Sequence, residues 1–176
     1  RNDSGLNEFA CDLLLEESTR PRVVSVKQDQ LLLFLRGINL HPGAEPEDMI
    51  SLRIFSEAQR VISLRLRPLR ARVDVSNELL AGKGPISSAA LVLRLAELMT
   101  EKIDPVITQL AEIVDGEDEL IDADENYQPD HSKMVVARRR SAGLRRFLAP
   151  QRDIYFEFTK DKMAWFAGEQ AREWNE

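Results

Sequence analysis

Residues 138–155 read RRRSAGLRRFLAPQRDIY, and the reading of the whole chain turns on this stretch. Five arginines stand before Pro150, and Gln151, Arg152, Asp153 and Tyr155 follow it. Apolar or small residues recur at Met134, Ala137, Ser141, Leu144, Leu148, Tyr155 and Phe158. That three-and-four spacing marks one face of a helix. The arginines lie mostly off that face. A proline inside such a pattern removes a backbone donor and kinks or ends the helix. The stretch predicts a long, charged, kinked helix with a narrow apolar seam, on which the rest of the chain packs.

Upstream, residues 86–124 are the longest periodic segment. Leu91, Leu95, Leu98, Ile103, Val106, Leu110, Ile113 and Leu120 form a helical stripe. Unbroken, it would be about 58 Å long at ~1.5 Å per residue. Pro105 lies inside it and should bend or break it. Ser87 or Ser88 can cap its start. Gln128, Pro129 and Asp130 mark a chain reversal, with Asp130 a candidate cap for the next helix. The two long segments therefore predict an antiparallel helical hairpin.

Before the hairpin, strands dominate. Residues 6–17 suit a short helix, with Leu6, Phe9, Ala10, Leu13 and Leu14 on one face. Residues 23–27 are rich in β-branched side chains, and residues 31–40 are nearly continuous in apolar ones. The second run is expected of a strand buried on both faces. A loop follows at 41–48, then strands at 49–55 and 60–66 around a hairpin turn. In the last strand Ile62, Leu64 and Leu66 share one face, which is expected to be buried. Residues 69–80 suit a helix ended by the turn Gly82, Lys83, Gly84 and Pro85. The class is mixed α and β: a small mixed sheet flanked by helices, plus the hairpin. The expected division is 1–85 for the sheet part and 86–168 for the hairpin, with 169–176 opening a further helix.

Composition narrows the function. With 43% hydrophobic and 31% charged residues the chain should fold as a soluble globular unit. A net charge of −6 argues against nucleic acid as a partner. A single cysteine, Cys11, excludes an intrachain disulfide. No apolar run approaches the ~20 residues of a spanning helix.

The clearest chemical feature is acidic: Asp115, Glu117, Asp118, Glu119, Asp122, Asp124 and Glu125. Asp118, Asp122 and Glu125 fall on one helical face if the helix runs through them. Together with Asp115 they are the candidate ligands for a hard divalent cation, which takes oxygen donors. The plainer alternative is a solvated helix end. The arginines at 138–140, 145 and 146 are expected to pair with this acidic run across the hairpin; phosphate or an anionic membrane is the other option. His41, His131 and Cys11 are the only imidazole and thiol ligands, too few for a closed zinc site without an unforeseen convergence. Trp165, Phe166 and Trp174 form either an exposed patch or packing beneath the hairpin. No phosphate loop, nucleophile elbow or dinucleotide fingerprint is present, so an enzyme is the least supported class.

RRFLAPQRDIY and the earlier ESTRPRV at 17–23 resemble, in order and spacing, segments of the CorA family of divalent-cation transporters, in its zinc-transporting ZntB branch. The resemblance implies a cytoplasmic funnel domain of α/β architecture with long helices. In the family a stalk helix leads from it to two membrane helices, the first ending in a Gly-Met-Asn-type signature, and five copies surround the ion path. It implies no tightly bound cofactor. It implies Zn²⁺ or Mg²⁺ as the transported or regulatory ion, further copies of the chain as partners, and a membrane reached through later helices. The pore signature, both spans and most of the stalk are missing here, and a strand before Leu6 is not evident. A soluble helical scaffold without metal is the alternative.

Overall fold

The computed structural model describes residues 5–17, 20–27, 29–158, 164–166, 172 and 174. The element order is α1 (Glu8–Leu15), β1 (Arg22–Lys27), β2 (Gln30–Gly37), β3 (Ile50–Glu57), β4 (Arg60–Leu64), α2 (Arg70–Leu80), α3 (Ser88–Glu101), α4 (Asp104–Ala123) and α5 (His131–Phe158). The four strands lie in chain order, β1-β2-β3-β4, and every pair is antiparallel. The sheet is thus an antiparallel meander rather than a mixed one: two connections are tight turns, and the 38–49 loop holds no helix that could carry a parallel crossover.

The continuous apolar run of β2 is explained by burial from both sides. Leu31, Leu33 and Leu35 join Ile50, Leu52 and Ile54 against α2 and α3. Leu32, Phe34 and Phe55 face the other way, onto Ala10 and Leu14 of α1. A third cluster lies in the hairpin, where Leu110 of α4 meets Ala137 and Leu144 of α5, with Ile38 and Met49 from the sheet end.

Several expectations need correction. Residues 86–124 are two helices: Pro105 sits in the first turn of α4, where its missing N–H costs nothing, and the chain bends at 102–103. α3 consequently covers the sheet, and the hairpin is α4 with α5. Of the two serines, Ser87 is the cap, its Oγ accepting the Ala90 N–H at 3.1 Å. Leu66 is 94% exposed, because β4 stops at Leu64 and the alternation no longer points at the core. In the α5 seam Ser141 is exposed, while Gln151 and Ile154 are buried. α5 runs through Pro150 instead of ending there. The side chain of Phe158, Ser18 and Thr19 of the second motif, and most of 169–176 lie outside the described residues. Phe166 and Trp174 pack against the sheet cluster, so the aromatic group is core and not patch.

Candidate functional site

The hairpin turn fixes where the charges go. Asp130 caps α5: its Oδ1 accepts the N–H groups of Ser132 and Lys133 at 3.0 and 3.3 Å. Its own N–H donates to Glu117 Oε2 at 2.8 Å. The same oxygen accepts the Tyr127 hydroxyl at 3.0 Å, and Lys133 Nζ reaches Glu117 Oε1 at 3.2 Å. Glu117 is only 3% exposed, and these three donors occupy its carboxylate. The Asp130 amide, then Lys133 and Tyr127, hold its pKa below the ordinary glutamate value despite burial. Of the acidic run, Glu117 is therefore the member that ties the turn.

The other acids are free to face solvent. Asp115, Asp118 and Asp122 are exposed on α4, roughly one turn apart along one side. Glu125 does not continue that row, because α4 ends at Ala123 and Asp124 is already extended. Among the described residues no three His, Cys, Asp or Glu side chains converge on a point that would hold a metal ion. Cys11 is buried in α1, and the His41 ring lies 2.9 Å from the Pro68 carbonyl oxygen. The row of aspartates does not close into a cage for a dehydrated ion. Mg²⁺ keeps several waters and needs only one or two carboxylates, whereas a dehydrated ion needs a closer cage.

The arginines of α5 do not pair with this row. Arg140 Nη2 meets Glu45 Oε2 at 2.6 Å and its Nε lies 3.8 Å from Glu47, while Arg139 is 4.0 Å from Glu47. Both glutamates belong to the 41–48 loop. The reason is register. With the turn at 124–130, the acidic end of α4 lies beside the first turn of α5, where Lys133 stands, and residues 138–146 lie beside the earlier, apolar turns of α4.

Two residues outside the expected set hold the arrangement together. Gln151 in α5 accepts the Arg36 N–H at 2.6 Å and donates to the Arg36 carbonyl at 3.2 Å. Arg36 stacks its guanidinium 4.4 Å from the Phe147 ring centre and donates to the Met49 carbonyl at 2.6 Å. The sequence marks Gln151 in two ways, by its place on the apolar face of a helix and by its position within RRFLAPQRDIY, and neither shows which groups it binds.

The family model described as CorA-like Mg2+ transporter protein matches residues 1–175. The chain belongs to this family. The divalent cation transporter CmaX of Pseudomonas aeruginosa is 54% identical over 176 residues, which is 100% of this chain and 53% of that protein. The zinc transport protein ZntB of Klebsiella pneumoniae is 31% identical over 162 residues, 92% of this chain and 48% of that protein. Among solved structures, full-length CmaX superposes with a TM-score of 0.94 at 54% identity, covering 99% of this chain and 54% of that one. The ZntB cytoplasmic domain of Vibrio parahaemolyticus superposes with a TM-score of 0.85 at 28% identity, covering 99% of this chain and 70% of that one. This CorA-like chain spans about half the length of the curated relatives it matches. Among its described residues no helix is long and apolar enough to cross a membrane.

Proposed function

We propose that this chain is the cytoplasmic funnel domain of a CorA-like transporter that moves a divalent cation, Zn²⁺ or Mg²⁺, across the inner or plasma membrane. The observation that carries the reading is the superposition on a ZntB cytoplasmic domain over nearly the whole chain. In this reading the transporter is a homopentamer held in the membrane by helices beyond this segment. Ile107, Leu120, Ile121, Val135 and Val136 leave apolar surface exposed on α4 and α5, which supports contact with further copies.

The chain's own contribution is electrostatic. Asp115, Asp118 and Asp122 on α4, with Glu125 in the turn, raise the local concentration of divalent cations on the approach to the pore. The ion is cargo and stays hydrated. Binding between copies biases a closed arrangement over an open one only insofar as the two states differ in affinity. The name of ZntB favours zinc, whereas the family description and the all-carboxylate donor set favour the harder Mg²⁺.

Isothermal titration of Mg²⁺ and Zn²⁺ into the chain, compared with Asp118→Asn/Asp122→Asn, tests the role of the row. Weaker binding in the variant is expected. An unchanged isotherm for both ions removes the aspartates from the mechanism.

A further inference from the structure

The sheet face that carries α1 is only half covered. α1 has eight residues, about 12 Å of helix. It covers Phe34 and Phe55 and stops at Leu15. The strands continue past it, and the next inward positions on that face are not apolar: they are Arg36 on β2 and Arg53 on β3. α5 closes the far side with Arg146 and Phe147, and Arg65, Arg67 and Arg72 stand at the rim. The result is an open cleft of about 1110 Å³.

Six guanidinium groups line one cleft. Arg53 is nearly buried and donates to the Leu14 carbonyl at the end of α1. Arg36 and Arg146 share the Phe147 ring, at 4.4 and 5.3 Å from its centre. The charges of Arg146 and Arg53 repel that of Arg36 across the cleft. Burial, followed by the charges of Arg146 and Arg53, lowers the pKa of Arg36. Four carboxylates also reach the lining: Glu16, Glu17, Glu47 and Asp48. Glu16 is engaged by Arg22, and Glu47 lies beside Arg139 and Arg140, none of which lines the cleft. Among the described residues neither Arg53 nor Arg146 forms an ion pair with a carboxylate.

We propose that this cleft binds a small organic polyphosphate, of the class of nucleoside triphosphates, with its phosphates among Arg36, Arg53 and Arg146. Guanidinium forks match phosphate oxygens in bidentate geometry, which a point charge does not. The volume exceeds what one inorganic phosphate fills and lies slightly above the usual range of small-ligand sites, about 300–1,000 Å³. The rim arginines at 65, 67 and 72 then meet the outer part of the ligand. The site is separate from the aspartates of α4 and does not depend on the transport reading.

The test is calorimetric titration of the 176-residue chain with ATP, pyrophosphate and inorganic phosphate, in EDTA so that no cation bridges ligand and protein. ATP and pyrophosphate are expected to bind, and inorganic phosphate more weakly. Arg146→Gln and Arg67→Gln, both exposed, should each weaken ATP by about tenfold. Arg152→Gln, exposed on α5 outside the cleft, should leave it unchanged. Overturning results are no heat with ATP or pyrophosphate at millimolar concentration, equal losses in all three variants, or binding only to phosphatidylglycerol vesicles.

Discussion

Gln151 occupies the place of a missing strand beside Arg36. β1 begins only at Arg22, opposite Phe34, because Pro21 precedes it and cannot donate to a ladder. The N–H and carbonyl of Arg36 on that side would have no partner. The Gln151 amide supplies both an acceptor at 2.6 Å and a donor at 3.2 Å, as a neighbouring peptide would. Its nitrogen also meets the Tyr155 hydroxyl at 3.1 Å.

Truncating this side chain should therefore be costly. Gln151→Ala orphans a buried donor and a buried acceptor, each worth about 1–3 kcal/mol. Urea denaturation should show a loss of about 2–4 kcal/mol for Gln151→Ala. Arg152→Gln, on the exposed side of the same turn, should stay within about 0.5 kcal/mol of the parent. Equal effects would mean that the amide only fills space.

Glu117 makes the hairpin turn sensitive to acid. Its pKa is lowered from an ordinary value of 4.5, chiefly by the Asp130 amide. The unfolded chain then binds the proton more readily than the folded one, so folding is favoured above that ordinary value. The stabilisation fades as pH drops below it and is lost once the pH has passed the lowered native value. Glu117→Gln should be less stable at pH 7, and its stability should change less between pH 5 and pH 3. Parallel acid-denaturation curves for the two proteins would refute the assignment.

The parts of the fold that were legible are those where burial sets the residue type. Leu31 to Leu35 must be apolar on both sides of β2, so the run announces a covered strand. The site was less legible because sign is visible in a sequence and register is not. Arg139 and Arg140 and the acidic run have opposite charges, yet the turn at 124–130 slides them past each other, and Glu45 and Glu47 become the partners. Glu117 looks like its acidic neighbours until Tyr127 and Asp130 fold back upon it. Leu66 continues an alternation that the backbone had already left at Leu64. Gln151 reads as a polar interruption, because nothing local reveals which backbone groups it must satisfy.

Asp29 should accept one substitution and refuse another. It has φ 61° in the turn between β1 and β2, a left-handed conformation that asparagine adopts readily and β-branched residues do not. Its Oδ1 accepts the Ala164 N–H at 2.9 Å, and its carbonyl accepts the Trp165 indole N–H at 2.8 Å. Asp29→Asn keeps both features and should lie within about 0.5 kcal/mol of the parent. Asp29→Val loses the side-chain acceptor and strains the turn, for a cost of about 2–3 kcal/mol. Fluorescence of Trp165, read against a Trp174→Phe background, should shift to the red in the valine variant alone. No shift in either variant would detach the C-terminal segment from this turn.

Two glycines of the hairpin should respond to alanine in opposite directions. Both lie inside helices, where alanine is preferred by about 0.8–1 kcal/mol. A Cβ on Gly116 of α4 would meet nothing within 4 Å, so Gly116→Ala should stabilise by about that amount. A Cβ on Gly143 of α5 would lie 2.8 Å from Glu47 Cβ and 3.1 Å from its Cγ. Those atoms sit next to the loop backbone and cannot swing away as the tip of a long side chain would. Relief must come from moving the 41–48 loop off α5, which also pulls Glu45 and Glu47 from Arg140. Overpacking of this kind costs about 1–3 kcal/mol, more than the helical gain. Gly143→Ala should therefore lower the urea midpoint while Gly116→Ala raises it. A rise in both would show that the loop yields freely and that its ion pairs with α5 do not hold it in place.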